Sequence, residues 1–384
     1  MTFADIKAAV VGVGFIGVAH VEALRRLGVD VVGVVGSDPG RAAKKAAAVS
    51  LPRVYDSLEA VLADPAIDVV HIATPNHLHA PQVRAVLDAG KHVVCEKPLA
   101  LTAADARDLV ARADAAGKVH AVCFNLRFYP LCHQARALVR DGAIGQPRFI
   151  TGHYFQDWLL LDTDWNWRLV SDEAGQLRAV ADIGSHWLDL SRFISGKRIV
   201  EVMADLHTFV PIRRHPKGPV ETFAATTPSD ELIEEPMTSD DGAGALLRFE
   251  DGARGTVSIS QVSAGRKNSV SIEVDGSESA LAWSSEDPDR MWIGHRGRSN
   301  EILHRDPSLN APEVRRIIGY PGGHVEGYPD TFRALFSQVY ADIANGAPAA
   351  EPAYPTFRDG LDALAVTEAI AQSSAERRWV AVER

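Results

Sequence analysis

The stretch Ala8-Ala9-Val10-Val11-Gly12-Val13-Gly14-Phe15-Ile16-Gly17 carries the strongest structural signal in the chain. An apolar run suited to a buried strand leads into glycines spaced G-x-G-x-x-G, and residues with helical spacing follow. In that setting the three glycines do different things. Gly12 permits a tight turn, Gly14 lets backbone approach a phosphate, and Gly17 lets helix pack closely on strand. The helix opening near Phe15 and Ile16 then aims its free N–H groups at an anion. Many glycine-rich turns only reverse a chain. Here Ile6 to Val11 reads as strand, Gly17 to Leu27 as helix and Val29 to Val35 as the next strand, so the segment reads as a dinucleotide pyrophosphate site.

On either side of this segment, apolar runs at Lys7–Val13, Val29–Val35, Val69–Ala73, His92–Glu96 and Val119–Phe124 alternate with helical stretches. That alternation predicts an α/β domain over residues 1–126, with a parallel sheet covered on both faces and its ligand at the strand ends that carry the loops. From residue 127 onward the pattern changes to period two, at Arg148–Tyr154, Val200–Thr208, Gly244–Phe249, Gly255–Val262, Val270–Val274 and Glu278–Trp283. Glu250-Asp251-Gly252 reads as a hairpin turn. A second α/β domain, residues 127–384, with an open and largely antiparallel sheet is therefore expected. Phe332–Asn345 and Leu361–Ser373 have helical spacing and can pack back on a domain face. Pro211 to Asp241 reads as a surface excursion, and Arg213-Arg214 as solvated loop.

The 384 residues carry 40 Lys+Arg against 50 Asp+Glu, a net charge of −10 with no basic stripe, which argues against nucleic acid and anionic membrane as partners. The three cysteines, Cys95, Cys123 and Cys132, lack C-x-x-C spacing and read as small core hydrophobes in a reducing compartment. No stretch approaches a membrane span and the first residues do not resemble a leader, so a cytoplasmic location is expected.

Two segments carry candidate chemistry. Cys95-Glu96-Lys97-Pro98 follows a strand whose end lies on the ligand edge. An ammonium there can hydrogen-bond a substrate hydroxyl and, if partly desolvated, assist its deprotonation as hydride leaves; without the surrounding pattern it reads as an ordinary solvated lysine. In Asp182-Ile183-Gly184-Ser185-His186-Trp187-Leu188-Asp189, Trp187, Leu190 and Ile194 share a helical face, and Asp182 and His186 are neighbours at i,i+4. A carboxylate beside an imidazole is a proton-transfer pair near neutral pH. The same two residues also suit a helix-start acceptor and a core histidine satisfied by it.

Taken together, the glycine set, Thr74-Pro75-Asn76 with His79, Glu96-Lys97-Pro98, Asn125-Leu126-Arg127-Phe128-Tyr129-Pro130 and Asp182-x-Gly184-x-His186-x-x-Asp189 occur in an order that resembles the glucose–fructose oxidoreductase, inositol dehydrogenase and rhizopine-catabolism family over nearly the whole chain. The resemblance implies a Rossmann domain followed by an α/β domain with an open sheet. It implies Lys97 and His186 as catalytic residues, with Asp182 binding substrate hydroxyl beside them. Thr74, Pro75, Asn76, His79, Glu96, Lys97 and Asn125 would border the cofactor, and Pro98 is often cis in such proteins. Arg127, Tyr154, Gln156, Trp158, Trp165, Trp167 and Arg168 would face substrate, a polar and aromatic set that suits sugars.

Two departures from the family pattern matter. Where relatives often have an acidic residue for the ribose of NAD, this chain reads Gly36-Ser37-Asp38-Pro39-Gly40-Arg41. Ser37 and Arg41 suit a 2′-phosphate and Asp38 suits a ribose, so the cofactor is NAD or NADP. Where many relatives have consecutive glycines, Gly175 to Asp182 includes Arg178, expected to face substrate or a subunit neighbour.

His77 and His79, with His71 nearby, lack matching further ligands, and no metal is expected. His324, in Gly322-Gly323-His324-Val325-Glu326-Gly327-Tyr328, either borders substrate or sits in a turn. The expected activity is hydride transfer between a secondary alcohol of a cyclic sugar, polyol or pyranoside and NAD(P), by a homodimer or homotetramer. Two rivals remain: a glycosidase of the same fold that oxidises transiently and releases an aglycone without net reduced cofactor, and a cofactor-binding regulator without catalysis.

Overall fold

The computed structural model describes residues 1–217, 220 and 231–384. The chain divides into two compact units, one of Met1–Asn125 with Tyr328–Leu364, the other of Leu126–Gly327 with Ala365–Arg384.

The first unit opens with β1 (Lys7–Val11), α1 (Phe15–Arg26), β2 (Asp30–Val35), α2 (Pro39–Ala48), α3 (Leu58–Ala63), β3 (Val69–Ile72), α4 (His79–Asp88), β4 (His92–Cys95), α5 (Ala103–Ala116) and β5 (His120–Val122). The strands form one parallel sheet in the order β2-β1-β3-β4-β5. The order reverses between β1 and β3, and that reversal opens the crevice where an α/β sheet binds its ligand. Val70, Ile72, Val93 and Cys95 are buried, as strands covered by helices on both faces require. The helices begin where side chains can cap them: Asp38 accepts from Arg41 N–H at 2.6 Å and Thr102 from Asp105 N–H at 3.1 Å.

The second unit continues with α6 (Pro130–Arg140), β6 (Pro147–Phe155), α7 (Ser171–Ala174), α8 (Ser185–Ser195), β7 (Ile199–His207), β8 (Ile212–Pro216), β9 (Leu232–Pro236), β10 (Gly242–Phe249), β11 (Arg254–Ser260), β12 (Ser269–Gly276), β13 (Ser279–Ser284), β14 (Arg290–His295), β15 (Glu301–His304) and α9 (Pro312–Arg315). The chain then runs through α10 (Tyr328–Asn345), α11 (Phe357–Glu376) and β16 (Val380–Ala381). Nine strands make a mixed sheet in the order β15-β14-β13-β12-β6-β11-β10-β7-β16, antiparallel except for β6 beside β11. The turn at Glu250–Gly252 joins β10 to β11, with Asp251 at φ 61° and Gly252 at φ 89°. One face packs Ile150, Leu247, Ile259 and Ile272 against Trp187, Leu190 and Ile194 of α8. The other face leaves Phe149, Met203, Leu246 and Ile302 exposed.

The expectation for Pro211 to Asp241 needs correction. Residues 218–219 and 221–230 lie outside the described residues, but the flanks pair as the hairpin β8–β9. Arg213 is fully buried, donating to the Leu159 and Leu161 carbonyls at 2.9 Å and to the Asp241 carboxylate at 2.9 Å, and only Arg214 is solvated. A basic pair looks like loop when its buried partner is distant in sequence. Among the described residues no helix is long and apolar enough to cross a membrane.

Candidate active site

In the first unit the loop after β1 has the geometry a dinucleotide pyrophosphate needs. Gly12 sits at φ 106°, and a Cβ there would lie 2.3 Å from the Ala73 carbonyl oxygen. A Cβ on Gly17 would lie 1.9 Å from the Gly12 oxygen, while one on Gly14 would meet nothing within 4 Å. Two positions are closed by backbone and the middle one faces open space. It does so at the N-terminus of α1, where the first N–H groups of a helix have no acceptor within the helix itself. The residues fit the cofactor. Ile16 lies in that first turn, and Phe15 is 55% exposed beside it.

The ends of the other strands add to the same edge. After β2, a Cβ on Gly36 would press within 2.9 Å of both Ala42 Cβ and Val13 Cγ2, so this position is closed to an acidic side chain. Ser37, Asp38 and Arg41 are exposed, and the Asp38 carboxylate caps α2. After β3, Thr74 Oγ1 donates to Gln82 Oε1 at 2.7 Å, Pro75 leads into a short turn at Asn76–Leu78, and Asn76 is buried.

His79 is buried between the carbonyl oxygens of Pro98 (Nδ1, 2.7 Å) and Thr74 (Nε2, 2.8 Å). Burial holds its pKa below the ordinary histidine value, against the two carbonyls, which favour the charged form. A neutral imidazole has one N–H, so the ring, set between two strand-end loops, donates to one carbonyl, and both are satisfied as acceptors only when it is protonated. After β4 come buried Glu96 and half-buried Lys97, with the Lys97–Pro98 peptide cis. After β5, Asn125 Nδ2 donates to Thr331 Oγ1 of α10 at 2.8 Å.

In the second unit Asp182 lies in a π-helical turn, Val180–Gly184, that runs directly into α8. This widened turn is the start of the helix expected from sequence. Asp182 accepts from Arg168 Nε at 3.2 Å and from Gln261 Nε2 at 2.8 Å, one donor to each carboxylate oxygen. His186 is 8% exposed, its ring 6.2 Å from that of Tyr154. Burial, and then the nearby Asp182 charge, push the Tyr154 phenol well above its usual range. Trp187 fixes α8 by donating to the Ser271 carbonyl at 2.8 Å, under a strand where Gly152 makes room: a Cβ there would lie 2.6 Å from the indole nitrogen.

Around this turn, Asn268 Oδ1 accepts from Tyr154 OH and from Gln156 Nε2, both at 2.8 Å, and Gln156 Oε1 accepts from Trp158 Nε1 at 2.8 Å. The Arg168 guanidinium lies over the rings of Trp167 and Trp158, at 4.5 and 5.9 Å. Trp165 stacks on His215 of β8, centroids 3.6 Å apart. Arg127 grips Asp189 of α8 with both arms of its guanidinium, so it braces the helix that carries His186.

Arg178 faces no surface: it is buried and paired with Asp241, and its backbone N–H donates to Asp240 at 2.7 Å. That corrects the expectation of a substrate or subunit contact. The side chain is held by the Asp241 carboxylate and the Asp240 carbonyl, from a segment distant in sequence. His324 is exposed in a turn whose carbonyls at Tyr320, Pro321 and His324 accept from the buried Arg305, itself paired with Asp289 and Glu326. Sequence reading missed Gln261, Asn268 and Asp241, polar residues in or beside strands of the second sheet. Each stands one residue outside a strand end, where a polar side chain reads as loop.

Residues 6–124 match the model for an oxidoreductase family with an NAD-binding Rossmann fold, and residues 132–282 match the model for the GFO/IDH/MocA C-terminal domain. Levoglucosan dehydrogenase of Pseudarthrobacter phenanthrenivorans is 29% identical over 98% of each chain. A crystal structure of an oxidoreductase domain protein from Kribbella flavida, 32% identical, superimposes with a TM-score of 0.88 over all of both chains. A structure of levoglucosan dehydrogenase in complex with NADH and levoglucosan, 28% identical, gives 0.88 over 99% of this chain and all of that one. The chain therefore belongs to the glucose–fructose oxidoreductase, inositol dehydrogenase and rhizopine-catabolism family of oxidoreductases, built on an NAD-binding Rossmann domain and a mixed, largely antiparallel C-terminal sheet.

Proposed function

We propose that the protein oxidises a secondary alcohol of a cyclic sugar or polyol, with Lys97 and His186 handling the hydroxyl proton and Asp182 orienting the substrate. The observation that carries this reading is the Asp182–His186 turn. Its carboxylate is oriented by two donors, Arg168 and Gln261, beside a nearly buried imidazole and within a wall of Tyr154, Gln156, Trp158 and Arg168. Rings that stack on C–H faces and amides that bond hydroxyls suit a sugar ring. The sugar-dehydrogenase relatives support the same class.

When bound, the nicotinamide ring supplies the hydride acceptor. The residues of this chain do the rest. The Gly12–Gly17 loop and the first turn of α1 bind the pyrophosphate, and Thr74, Asn76 and Glu96 border the rest of the dinucleotide. Lys97 hydrogen-bonds the alcohol oxygen and favours its developing negative charge, and His186 takes the proton. The Asp182 carboxylate accepts from a neighbouring hydroxyl and holds the ring in register. Asp38, engaged as a helix cap, and the exposed Ser37 and Arg41 leave both dinucleotides as candidates. The exposed apolar residues on the second sheet's outer face, together with a groove of about 550 Å³ lined by Thr151, Glu273, Trp292 and Ile302, support pairing of like subunits through that face.

The test is absorbance of reduced nicotinamide across a panel of anhydrosugars, aldoses and inositols with NAD and with NADP. Reduction with at least one ring alcohol is expected. Silence with every compound and both cofactors would overturn the reading.

A further inference from the structure

Beneath the Glu96–Lys97 turn lies a chain of buried polar groups that no step above uses. The Tyr340 hydroxyl on α10 meets His71 Nε2 on β3 at 2.9 Å, His71 Nδ1 meets His20 Nδ1 on α1 at 3.0 Å, and His20 Nε2 meets Glu96 Oε1 at 3.0 Å. The other Glu96 oxygen, Oε2, accepts the backbone N–H of Lys97 at 3.2 Å. Tyr340, His71 and His20 have no exposed surface. Phe332, Phe336 and Tyr340, spaced four apart on one face of α10, close over the two imidazoles. The Phe336 ring stands edge-on to both, at 4.8 and 4.9 Å, and Phe332 lies 5.4 Å from His20.

The direction of the chain follows from what each group can donate. A carboxylate only accepts, so His20 Nε2 carries a hydrogen toward Glu96. Burial holds His71 well below the ordinary histidine pKa, so it is neutral with one N–H. A His20 ring whose single hydrogen sits on Nε2 leaves one arrangement that satisfies every contact: Tyr340 O–H to His71 Nε2, His71 Nδ1–H to His20 Nδ1, His20 Nε2–H to Glu96. Bonds aligned this way in a dry, aromatic setting reinforce one another and hold their partners rigidly. Cys123 Sγ lies 3.9 Å from His20 Nε2, and among the described residues His20, Glu96 and Cys123 bring ligand atoms within 4.8 Å of one another. Burial raises the Cys123 thiol, which stays protonated, and the His20–Glu96 hydrogen bond already occupies the space between them.

We propose that Tyr340, His71 and His20 form a positioning chain that fixes the Glu96 carboxylate and, through its bond to the Lys97 peptide, sets where the lysine side chain starts. The proposal rests on the role given to Lys97 above. His20 follows Gly17 by three residues on α1, so the helix whose N-terminus would face the pyrophosphate also anchors the turn that carries the lysine. A lysine has a long flexible stem, and small errors in its starting point cost catalysis.

The experiment compares His20→Gln, whose amide can reach the place of Nε2 and donate to Glu96, with His20→Asn, whose amide falls near Nδ1 and cannot. Turnover of His20→Gln is expected within about threefold of wild type, and that of His20→Asn lower by about ten- to a hundredfold, the cost typical of losing a residue that orients a reacting group. Dinucleotide Kd is expected to change less than turnover in both, since the pyrophosphate loop is untouched and only the Glu96 border can move. Imidazole ¹⁵N spectra of the wild-type protein are expected to show His20 protonated at Nε2, His71 at Nδ1, and both ring hydrogens slow to exchange. Equal turnover in the two variants, or His20 protonated only at Nδ1, would overturn the proposal. If no sugar is oxidised by the wild type, the functional reading fails while the spectra still decide the chain.

Discussion

The loop at Gly12–Gly17 and the turn at Asp182–His186 are held in opposite ways. In the first, every constraint is backbone: the Ala73 carbonyl presses on Gly12, and the Gly12 oxygen presses on Gly17. In the second, the constraints are side chains brought from afar, Arg168 and Gln261 on Asp182 and Arg127 on Asp189, separated by 14, 79 and 62 positions. A backbone-made site tolerates almost no added atom and needs little else. A side-chain-made site tolerates local change but fails when a distant partner is lost.

The largest effect expected from this contrast falls on the side-chain brace. Arg127→Ala leaves Asp189 buried without its guanidinium, a loss of about 3–5 kcal/mol in urea unfolding. Replacing both partners by apolar residues of similar volume should recover most of it. A loss as small as that of a surface ion pair would show that Arg127 does not brace α8.

The backbone site comes next. Gly17→Ala puts a methyl 1.9 Å from a carbonyl oxygen and should weaken dinucleotide binding about a hundredfold, about 2.7 kcal/mol, with a lower Tm. Gly14→Ala has open space and should leave Tm unchanged while weakening binding about tenfold, because the methyl stands where the anion would approach. Equal Tm loss in both would erase the distinction between a closed and an open glycine.

The smallest effect separates the units by pH. In the first unit burial lowers His92 and His120 to about 4. The unfolded chain protonates them near 6.5 and the folded one does not, so the stability they contribute is complete above about 6.5 and is lost as pH falls toward about 4, on the order of 1 kcal/mol each. In the second unit His133, lowered to about 3 by burial, acts the same way, but burial raises Asp240 to about 6. The folded state then holds a proton the unfolded state lacks between about 4 and 6, and stability rises as pH falls through that window, offsetting His133. Hydrogen exchange between pH 7 and pH 5 should show β4 and β5 losing protection before β10 and β11. The reverse order would contradict these assignments.

The same contrast explains what could be read from sequence. The glycine loop, the parallel strands and the Glu250–Gly252 turn are local, since spacing and turn chemistry over a few residues determine them. The strand-end positions of Thr74, Glu96 and Asn125 follow from that alternation. Arg178, Arg213 and Gln261 were opaque because a charged or amide side chain looks alike in solvent and against a buried partner until the chain brings that partner close. The His20–His71–Tyr340 chain was invisible for the same reason, as its last contact joins residues 269 positions apart.

Whether Lys97 acts on the alcohol or on cofactor binding is what Lys97→Met separates. With an oxidised sugar in hand, turnover should fall by about a thousandfold or more while dinucleotide Kd, read from nicotinamide fluorescence, stays within about threefold. Wild-type turnover in that variant, or a loss of turnover explained entirely by lost dinucleotide affinity, would remove Lys97 from the chemistry and the proposed reaction with it.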